Sequence, residues 1–169
     1  MPPLQADALF ACLERHGVRY VLIGGLAAVL HGSPLLTMDA DICPGRDPEN
    51  LAHLGAALGE LDARIRTADT PDGVPFPGDA AFLERVELLN LITQAGDLDL
   101  AFTPAGTSGF SDLSARAMPM IIRGVTVSVA ALEDVIRSKE AANRPKDHRT
   151  LPVLHQLLKE IQRRRGGLG

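Results

Sequence analysis

Residues 21–42 read VLIGGLAAVLHGSPLLTMDADI, and the order of residue types in this stretch decides the fold. The apolar, β-branched run over residues 18–23 is typical of a buried central strand. Gly24 and Gly25 follow that run and open a short apolar segment that we expect to be helical. Residues 37–42 then alternate polar and apolar side chains, as a half-buried strand does. The stretch therefore predicts a strand, a glycine turn, a helix and a second strand.

Two pairs of aspartates share the same spacing, Asp39 with Asp41 and Asp97 with Asp99. Successive side chains of a strand point to opposite faces, so each pair is expected on one face of the sheet. Carboxylates gathered on one face repel one another, and a bound cation relieves that cost. Hard oxygen ligands of this kind favour one or two Mg²⁺. The alternating apolar residues are expected to point into the core: Met38, Ala40, Ile42, Leu98, Leu100 and Phe102.

The two glycines are candidates for phosphate binding. Without side chains, backbone N–H groups at Gly24 and Gly25 can come close to an anion at the start of a helix. Turn geometry alone is the competing explanation, because neither a P-loop nor a GxGxxG motif is present. For Asp97, which follows Gly96, we expect a cap on the turn between two strands rather than a metal ligand.

The length of 169 residues predicts a single domain over residues 1–169, with a core over about 18–130 and a helical segment over about 131–165. The fold class is α+β, with a mixed sheet, helices packed on one face and closing C-terminal helices. A Pro- and Gly-rich stretch, residues 67–80, is predicted to be a surface loop able to cover a site. Other predicted elements are helices over 3–16, 47–61 and 131–143, and a last helix kinked or begun around Pro152. Two hairpins are also predicted: residues 88–93 pair with 97–102, and residues 120–122 pair with 125–129.

Charge is distributed unevenly along the chain. The net charge of −4 and the aromatic content of 4% argue against a nucleic-acid-coating protein and against aromatic stacking platforms. Residues 1–130 contain 8 Lys and Arg against 16 Asp and Glu, whereas residues 131–169 contain 9 against 5. The late cations could neutralise phosphates, or form a solvated helical face. They are Arg137, Lys139, Arg144, Lys146, His148 and Arg149.

The two cysteines, Cys12 and Cys43, belong to no CxxC pair and cannot build a disulfide framework. The first residues lack the basic and apolar regions of a signal peptide, and glycines interrupt the longest apolar run. We therefore expect a cytoplasmic protein that does not span a membrane.

Taken in order, these motifs resemble the nucleotidyltransferase superfamily typified by DNA polymerase β. The resemblance is greater to small bacterial AbiEii-like nucleotidyltransferases, which include toxins of toxin–antitoxin pairs, and it covers roughly residues 18–155. It rests on VLIGGLAAVLHGSPLLTMDADI, AGDLDLAF at residues 95–102 and RSKEAANRPKDHRTLP at residues 137–152.

The resemblance implies a nucleotidyltransferase fold and Mg²⁺-dependent transfer of a nucleoside monophosphate from an NTP, such as ATP, to an acceptor hydroxyl. By that resemblance Asp39 and Asp41 ligate metal, and Asp99 is the third metal-binding carboxylate and a candidate base. The implied nucleotide-binding residues are Gly24, Gly25, Lys139, Lys146 and Asp147, with Lys139 also counted among the catalytic residues.

The sequence leaves the acceptor open. The toxin resemblance and the basic tail favour a tRNA end or a protein as the acceptor, and an antitoxin as a partner. The compact size favours a small hydroxylated molecule as the acceptor. The competing class of function is a non-catalytic nucleotide- or partner-binding module that keeps the fold. The intact aspartates argue against that class, and Leu35 favours it because relatives often carry a basic residue there.

Overall fold

The computed structural model describes residues 3–167, and within them seven helices accompany one eight-stranded mixed sheet. The strands are β1 (Tyr20–Ile23), β2 (Asp39–Pro44), β3 (Arg64–Ile65), β4 (Val74–Pro75), β5 (Leu88–Thr93), β6 (Gly96–Ala101), β7 (Met118–Ile122) and β8 (Val125–Val129). The helices are α1 (Ala6–Arg15), α2 (Gly24–Leu30), α3 (Pro48–Glu60), α4 (Ala80–Glu84), α5 (Phe110–Ser114), α6 (Leu132–Ala142) and α7 (Pro145–Gly166).

The strand order across the sheet is β4-β3-β5-β6-β2-β1-β8-β7. β2 runs parallel to β6 and antiparallel to β1, and β1 runs parallel to β8. The predicted α+β class with a mixed sheet and closing C-terminal helices is therefore confirmed.

β1 lies near the middle of the sheet and is covered on both faces. Its consecutive residues Val21 and Leu22 are both fully buried, although their side chains point to opposite faces of the sheet. On β2 the apolar residues Ala40 and Ile42 are fully buried, whereas the alternating Asp39 and Asp41 are only half-buried. The apolar alternation thus anchors β2 in the core and leaves its carboxylates on the other face.

Met38 does not follow this alternation. It was expected on the core face, but it is 78% exposed. The reason is that β2 begins at Asp39 and the residues before it form a loop after α2, so the period of two does not extend to Met38.

Of the two C-terminal helices, the first matches the expected range of 131–143 and the second starts earlier than expected. α6 ends at Ala142, and the left-handed backbone of the next residue, Asn143 (φ 53°), stops the helix. α7 begins at Pro145 and continues through Pro152. Of the two expected alternatives at Pro152, a kink or a helix start, the start is therefore wrong. Proline fits the first turn because its missing N–H has no intrahelical partner there, and the Asp147 carboxylate accepts a hydrogen bond from the Arg144 backbone N–H at 3.1 Å.

Several short elements were absent from the sequence prediction, namely β3, β4, α4 and α5. They span two to five residues, which is too short for hydrophobic periodicity to be recognised. Within residues 3–167 no helix combines the length and apolar character needed to cross a membrane. Cys12 and Cys43 are free and buried.

Asn50 ties the start of α3 to the β1–β2 unit. The side chain is fully buried; its Oδ1 accepts a hydrogen bond from the Arg19 N–H at 2.6 Å. Its Nδ2 donates to the carbonyls of Arg19 at 2.9 Å and Gly45 at 2.8 Å. One amide side chain therefore satisfies three backbone groups close to the end of β2.

We expect Asn50→Ala to lower the free energy of unfolding by about 3 kcal/mol, because it leaves buried backbone groups without partners. Urea denaturation measures the change. Gln162→Ala, an exposed substitution on α7, serves as the control and should change stability by less than about 0.5 kcal/mol. Equal effects of the two substitutions would contradict the role given to Asn50.

Candidate active site

Parallel pairing of β2 with β6 brings the aspartates of two distant segments together. Asp41 is in register with Asp99, and Asp39 is in register with Asp97. Carboxylate oxygens of Asp39, Asp41 and Asp99 all lie within 4.8 Å of one another. These three residues, called the carboxylate triad below, are half-buried. The structure thus groups the three aspartates that were predicted to bind metal.

Gly24 makes room for the triad. Its φ of +71° is in the left-handed region that favours glycine. A Cβ atom at this position would lie 2.5 Å from Oδ2 of Asp41, far closer than van der Waals contact. The first residue of α2 must therefore be glycine for both its backbone conformation and the position of the Asp41 carboxylate.

Gly25 has a related role toward Asp39. A Cβ at Gly25 would meet Oγ1 of Thr37 at 3.1 Å. The Thr37 hydroxyl lies 3.3 Å from both the backbone carbonyl and Oδ1 of Asp39, and can donate a hydrogen bond to either. The second glycine therefore leaves space for the side chain that supports Asp39.

Burial is the main electrostatic effect on Asp41. Burial and the nearby charge of Asp39 together raise the pKa of this carboxyl group to about 6. Cationic side chains of α6 and α7 oppose the rise in pKa. They are Lys146, Lys139 and Arg144.

Asp99 shows the same effect. Burial raises the pKa of its carboxyl group, the charges of Asp41 and Asp39 add to the rise, and Arg66 opposes it. Oδ1 of Asp99 is buried and has no hydrogen-bond partner among the described residues. An unpaired buried oxygen and three mutually repelling carboxylates are both stabilised by a cation. Oxygen donors are the ligands of Mg²⁺, so the triad fits the predicted magnesium.

Asp97 is not part of the carboxylate triad and pairs with Arg66 instead. Its side chain is only 9% exposed and accepts a hydrogen bond from Arg66 at 2.8 Å. The expected turn cap is absent at Asp97, because the Thr93 hydroxyl donates to the Gly96 carbonyl and accepts from the Ala95 N–H. Arg66 lies just beyond the two-residue strand β3, and nothing in the local sequence indicated this pair.

The triad opens into a cavity of about 970 Å³. Gly24 and Gly25 line it, and so do Lys139 and Lys146 from the late helices. Of the described residues, none in the range 67–80 lines this cavity, so the expected cover from that loop is not seen.

Asp147 is the one predicted nucleotide-binding residue that does not line the cavity. It is fully buried, and its carboxylate accepts a hydrogen bond from Nε of Arg144 at 2.8 Å and lies 3.6 Å from Nζ of Lys139. Burial raises the pKa of Asp147, but the hydrogen bonds and charges of these partners outweigh burial and leave the pKa below its usual value. Asp147 therefore holds two cavity-lining cations in place.

Asn90 is a lining residue that the sequence analysis missed. It lies on β5 directly opposite Asp99, and it is exposed. The predicted hairpin over 88–93 and 97–102 did not identify this pair, because its bounds place residue 90 opposite residue 100, whereas the observed pairing of Thr93 with Gly96 places Asn90 opposite Asp99.

No protein-family model and no curated protein matches the chain. Among solved structures, the lincosamide antibiotic adenylyltransferase LnuA, in its lincomycin-bound form, is similar with a TM-score of 0.59 and 15% identity, covering 92% of this chain and 99% of that one. ANT(2'')-Ia in complex with adenylyl-2''-tobramycin is similar with a TM-score of 0.57 and 14% identity, and the match covers 90% of this chain and 86% of that one. A candidate nucleotidyltransferase from Thermotoga maritima is similar with a TM-score of 0.53 and 17% identity, and the match covers 91% of this chain and 90% of that one.

At these identities the similarity defines the fold. The chain has the nucleotidyltransferase fold, as the motif order predicted. The resemblance to the AbiEii-like subgroup stays a prediction.

We expect Gly24→Ala to abolish Mg²⁺-induced thermal stabilisation, because the new methyl group displaces the Asp41 carboxylate. Gly124→Ala is a matched control, since Gly124 also has a positive φ (+86°) but open space around a Cβ. Both variants should lose about 1 kcal/mol through backbone strain, and only Gly24→Ala should lose the Mg²⁺ response in differential scanning fluorimetry. Loss of that response in both variants, or in neither, would contradict this role of Gly24.

The raised carboxyl pKa values predict a pH-dependent stability of the metal-free protein. A carboxyl group whose pKa is higher in the folded state favours folding at low pH, and this contribution is lost as the pH rises through the folded-state pKa. Asp99→Asn should therefore stabilise the metal-free protein at about pH 8 by on the order of 1–2 kcal/mol, and change little at about pH 4. Urea denaturation at the two pH values, with a chelator present, tests this. A destabilisation of equal size at both would refute it.

Proposed function

We propose that the chain is a Mg²⁺-dependent nucleotidyltransferase, which moves a nucleoside monophosphate from an NTP such as ATP to an acceptor hydroxyl and releases pyrophosphate. The observation that carries the proposal is the carboxylate triad, which lies beside phosphate-neutralising cations in one cavity of a nucleotidyltransferase fold. The fold alone would not support an activity, because one fold can serve many functions.

Asp39, Asp41 and Asp99 would hold one or two Mg²⁺ through their carboxylate oxygens. Bound magnesium neutralises phosphate charge and polarises the phosphoryl group that is transferred. The protein's own contribution is to keep three carboxylates close together in spite of their repulsion, which the register of β2 with β6 and the missing side chain at Gly24 achieve.

The cationic side of the cavity would bind the triphosphate. Lys139, Lys146 and Arg144 line the cavity, and their charges would stabilise the leaving pyrophosphate. Gly24 and Gly25 would let phosphate oxygens approach the backbone. Asp147 would act through Lys139 and Arg144 as a positioning residue, because it is buried behind them.

In the proposed transfer, the acceptor oxygen forms a bond to the α-phosphorus of the NTP. The bond from that phosphorus to the oxygen bridging to the β-phosphate breaks, and its electron pair leaves with pyrophosphate. The proton of the acceptor hydroxyl goes to a carboxylate oxygen, for which Asp99 is the candidate. Asp99 lies at the β5 side of the triad, next to Asn90, where an acceptor could enter beside the nucleotide.

The acceptor classes are a tRNA end, a protein or a small hydroxylated molecule. A toxin role with an antitoxin partner is supported only by the resemblance to AbiEii-like sequences. Growth arrest on expression of the chain, relieved by Asp41→Asn and by a neighbouring gene product, would test that role.

We expect the double substitution Asp39→Asn, Asp41→Asn to reduce nucleotidyl transfer by about 100-fold or more, because it removes charge that the metal site needs. The assay follows label from α-labelled NTPs, with Mg²⁺, into total RNA, protein and small molecules of a cell extract. Asp97→Asn is the matched control: it changes an aspartate on the neighbouring strand β6, which is in register with Asp39 and pairs with Arg66, and transfer should stay within about tenfold of the original rate.

Unchanged label transfer in the double variant would refute the proposal. Tight NTP binding by the unaltered protein, with no pyrophosphate released for any acceptor, would favour the non-catalytic binding module instead.

A further inference from the structure

A second group of candidate metal ligands lies outside the catalytic cavity. Among residues 3–167, the thiol of Cys12, the imidazole of His16 and the carboxylate of Glu60 each place a ligand atom within 4.8 Å of the other two. We call these three residues the thiol cluster. None of them lines the cavity that contains the triad, and the proposed nucleotidyl transfer does not use them.

Two helices bring the thiol cluster together. Cys12 lies on α1 and His16 is the residue that caps this helix, four positions later, so the two side chains share one face. Glu60 is the last residue of α3. α3 packs against α1, and the Cys12 thiol donates a hydrogen bond to the Ala57 carbonyl at 3.7 Å. A metal ion bound by the cluster would therefore join the C-terminal ends of α1 and α3.

The donor atoms of the cluster fit Zn²⁺ rather than Mg²⁺. Sulfur and imidazole nitrogen are ligands that Zn²⁺ prefers, whereas Mg²⁺ takes oxygen. The ligand atoms of a tetrahedral Zn²⁺ site with sulfur, nitrogen and oxygen donors lie roughly 3.3–3.6 Å apart. The side chains of His16 and Glu60 are 28% and 46% exposed, so they can shift to this spacing and admit an ion from solvent.

Arg15 holds the Glu60 carboxylate in the orientation that a metal ligand needs. Its guanidinium pairs with Oε1 of Glu60, and the other oxygen, Oε2, faces Nε2 of His16. A partner that fixes one oxygen of a ligating carboxylate is typical of metal sites. Thiolate and carboxylate together balance the charge of Zn²⁺. The partial negative charges at the C-terminal ends of the two helices favour the remaining positive charge of Arg15.

We propose that Cys12, His16 and Glu60 bind one Zn²⁺, with water as the fourth ligand, and that this ion clamps α1 to α3. The inference is independent of the proposed function. Burial and the charge of Glu60 raise the pKa of the Cys12 thiol to about 11, so the metal-free thiol is protonated at neutral pH. Binding therefore forms a sulfur–zinc bond and releases the thiol proton to solvent.

The test uses Co²⁺ as a spectroscopic substitute for Zn²⁺. A thiolate bound to Co²⁺ gives a near-ultraviolet charge-transfer band, which oxygen and nitrogen ligands do not give, so the carboxylate triad is silent in this measurement. The unaltered protein, kept reduced and free of oxygen, should develop the band with one Co²⁺ per chain. Added Zn²⁺ should abolish it, because sites with thiolate and imidazole ligands select Zn²⁺.

Substitution of each ligand tests the cluster. Glu60→Gln and His16→Gln should each weaken Co²⁺ binding by about tenfold or more, and Cys12→Ser should abolish the band. The first two change side chains at the surface, so they test the cluster independently of any effect of the buried Cys12 on folding. His155→Gln is the matched control: it breaks another pair of this type, with Glu140 at 2.9 Å, and Co²⁺ affinity should be unchanged.

Two further variants locate the signal. Cys43→Ala should keep the band, because Cys43 is not part of the cluster. The double variant Asp39→Asn, Asp41→Asn should also keep it while losing nucleotidyl transfer, which separates the inference from the proposed function.

Amide hydrogen exchange measures the clamp itself. Zn²⁺ should slow exchange in the last turn of α1 by about tenfold or more in the unaltered protein, because the bound ion stabilises the closed helix end. Exchange in His16→Gln should not respond to Zn²⁺.

Four results would overturn the inference while leaving nucleotidyl transfer in place. The first is the absence of the band in the unaltered protein at about a tenfold molar excess of Co²⁺. The second is a band that persists in Cys12→Ser and disappears in Cys43→Ala. The third is equal weakening of Co²⁺ binding in His16→Gln and His155→Gln, and the fourth is exchange in α1 that Zn²⁺ does not change.

Discussion

Repulsion among three half-buried carboxylates is the constraint on which the site depends. Asp39, Asp41 and Asp99 stand within reach of one ion, and burial together with mutual repulsion raises the pKa values of Asp41 and Asp99. The fold tolerates this cost because the other faces of the same two strands are anchored by fully buried apolar residues such as Ala40 and Leu98. Stability elsewhere in the sheet thus maintains a site that is unfavourable without its cation.

The same constraint explains the arrangement around the triad. Gly24 has no side chain because the Asp41 carboxylate occupies that space. Lys139, Arg144 and Lys146 lower the pKa of Asp41 from across the cavity, and buried Asp147 fixes two of them. The missing side chain at Gly24 and the cations of the late helices thus both act on the Asp41 carboxylate.

Much of this arrangement follows from residue spacing, and the rest depends on contacts that no local pattern contains. Asp39, Asp41 and Asp99 could be predicted as a group because strand alternation fixes the face of each side chain. The pairing of Asp97 with Arg66 could not be predicted, since it joins β6 to the residue just after a two-residue strand, and so short a strand has no recognisable period. Met38 was misplaced because alternation was extended one residue before the strand begins. Asp147 belongs to a motif that the resemblance assigns to nucleotide binding, and the sequence could not tell a direct ligand from a residue that supports other side chains. Its burial shows that it holds other side chains.

The most direct test of the central claim is anomalous X-ray scattering from crystals grown with Mn²⁺, a substitute for Mg²⁺ that can be located, and a non-hydrolysable ATP analogue. The account predicts one or two anomalous peaks coordinated by carboxylate oxygens of Asp39, Asp41 and Asp99, with the triphosphate of the analogue extending toward Lys139 and Lys146. A bound analogue with no peak at the triad, or with its triphosphate away from Lys139 and Lys146, would contradict the account.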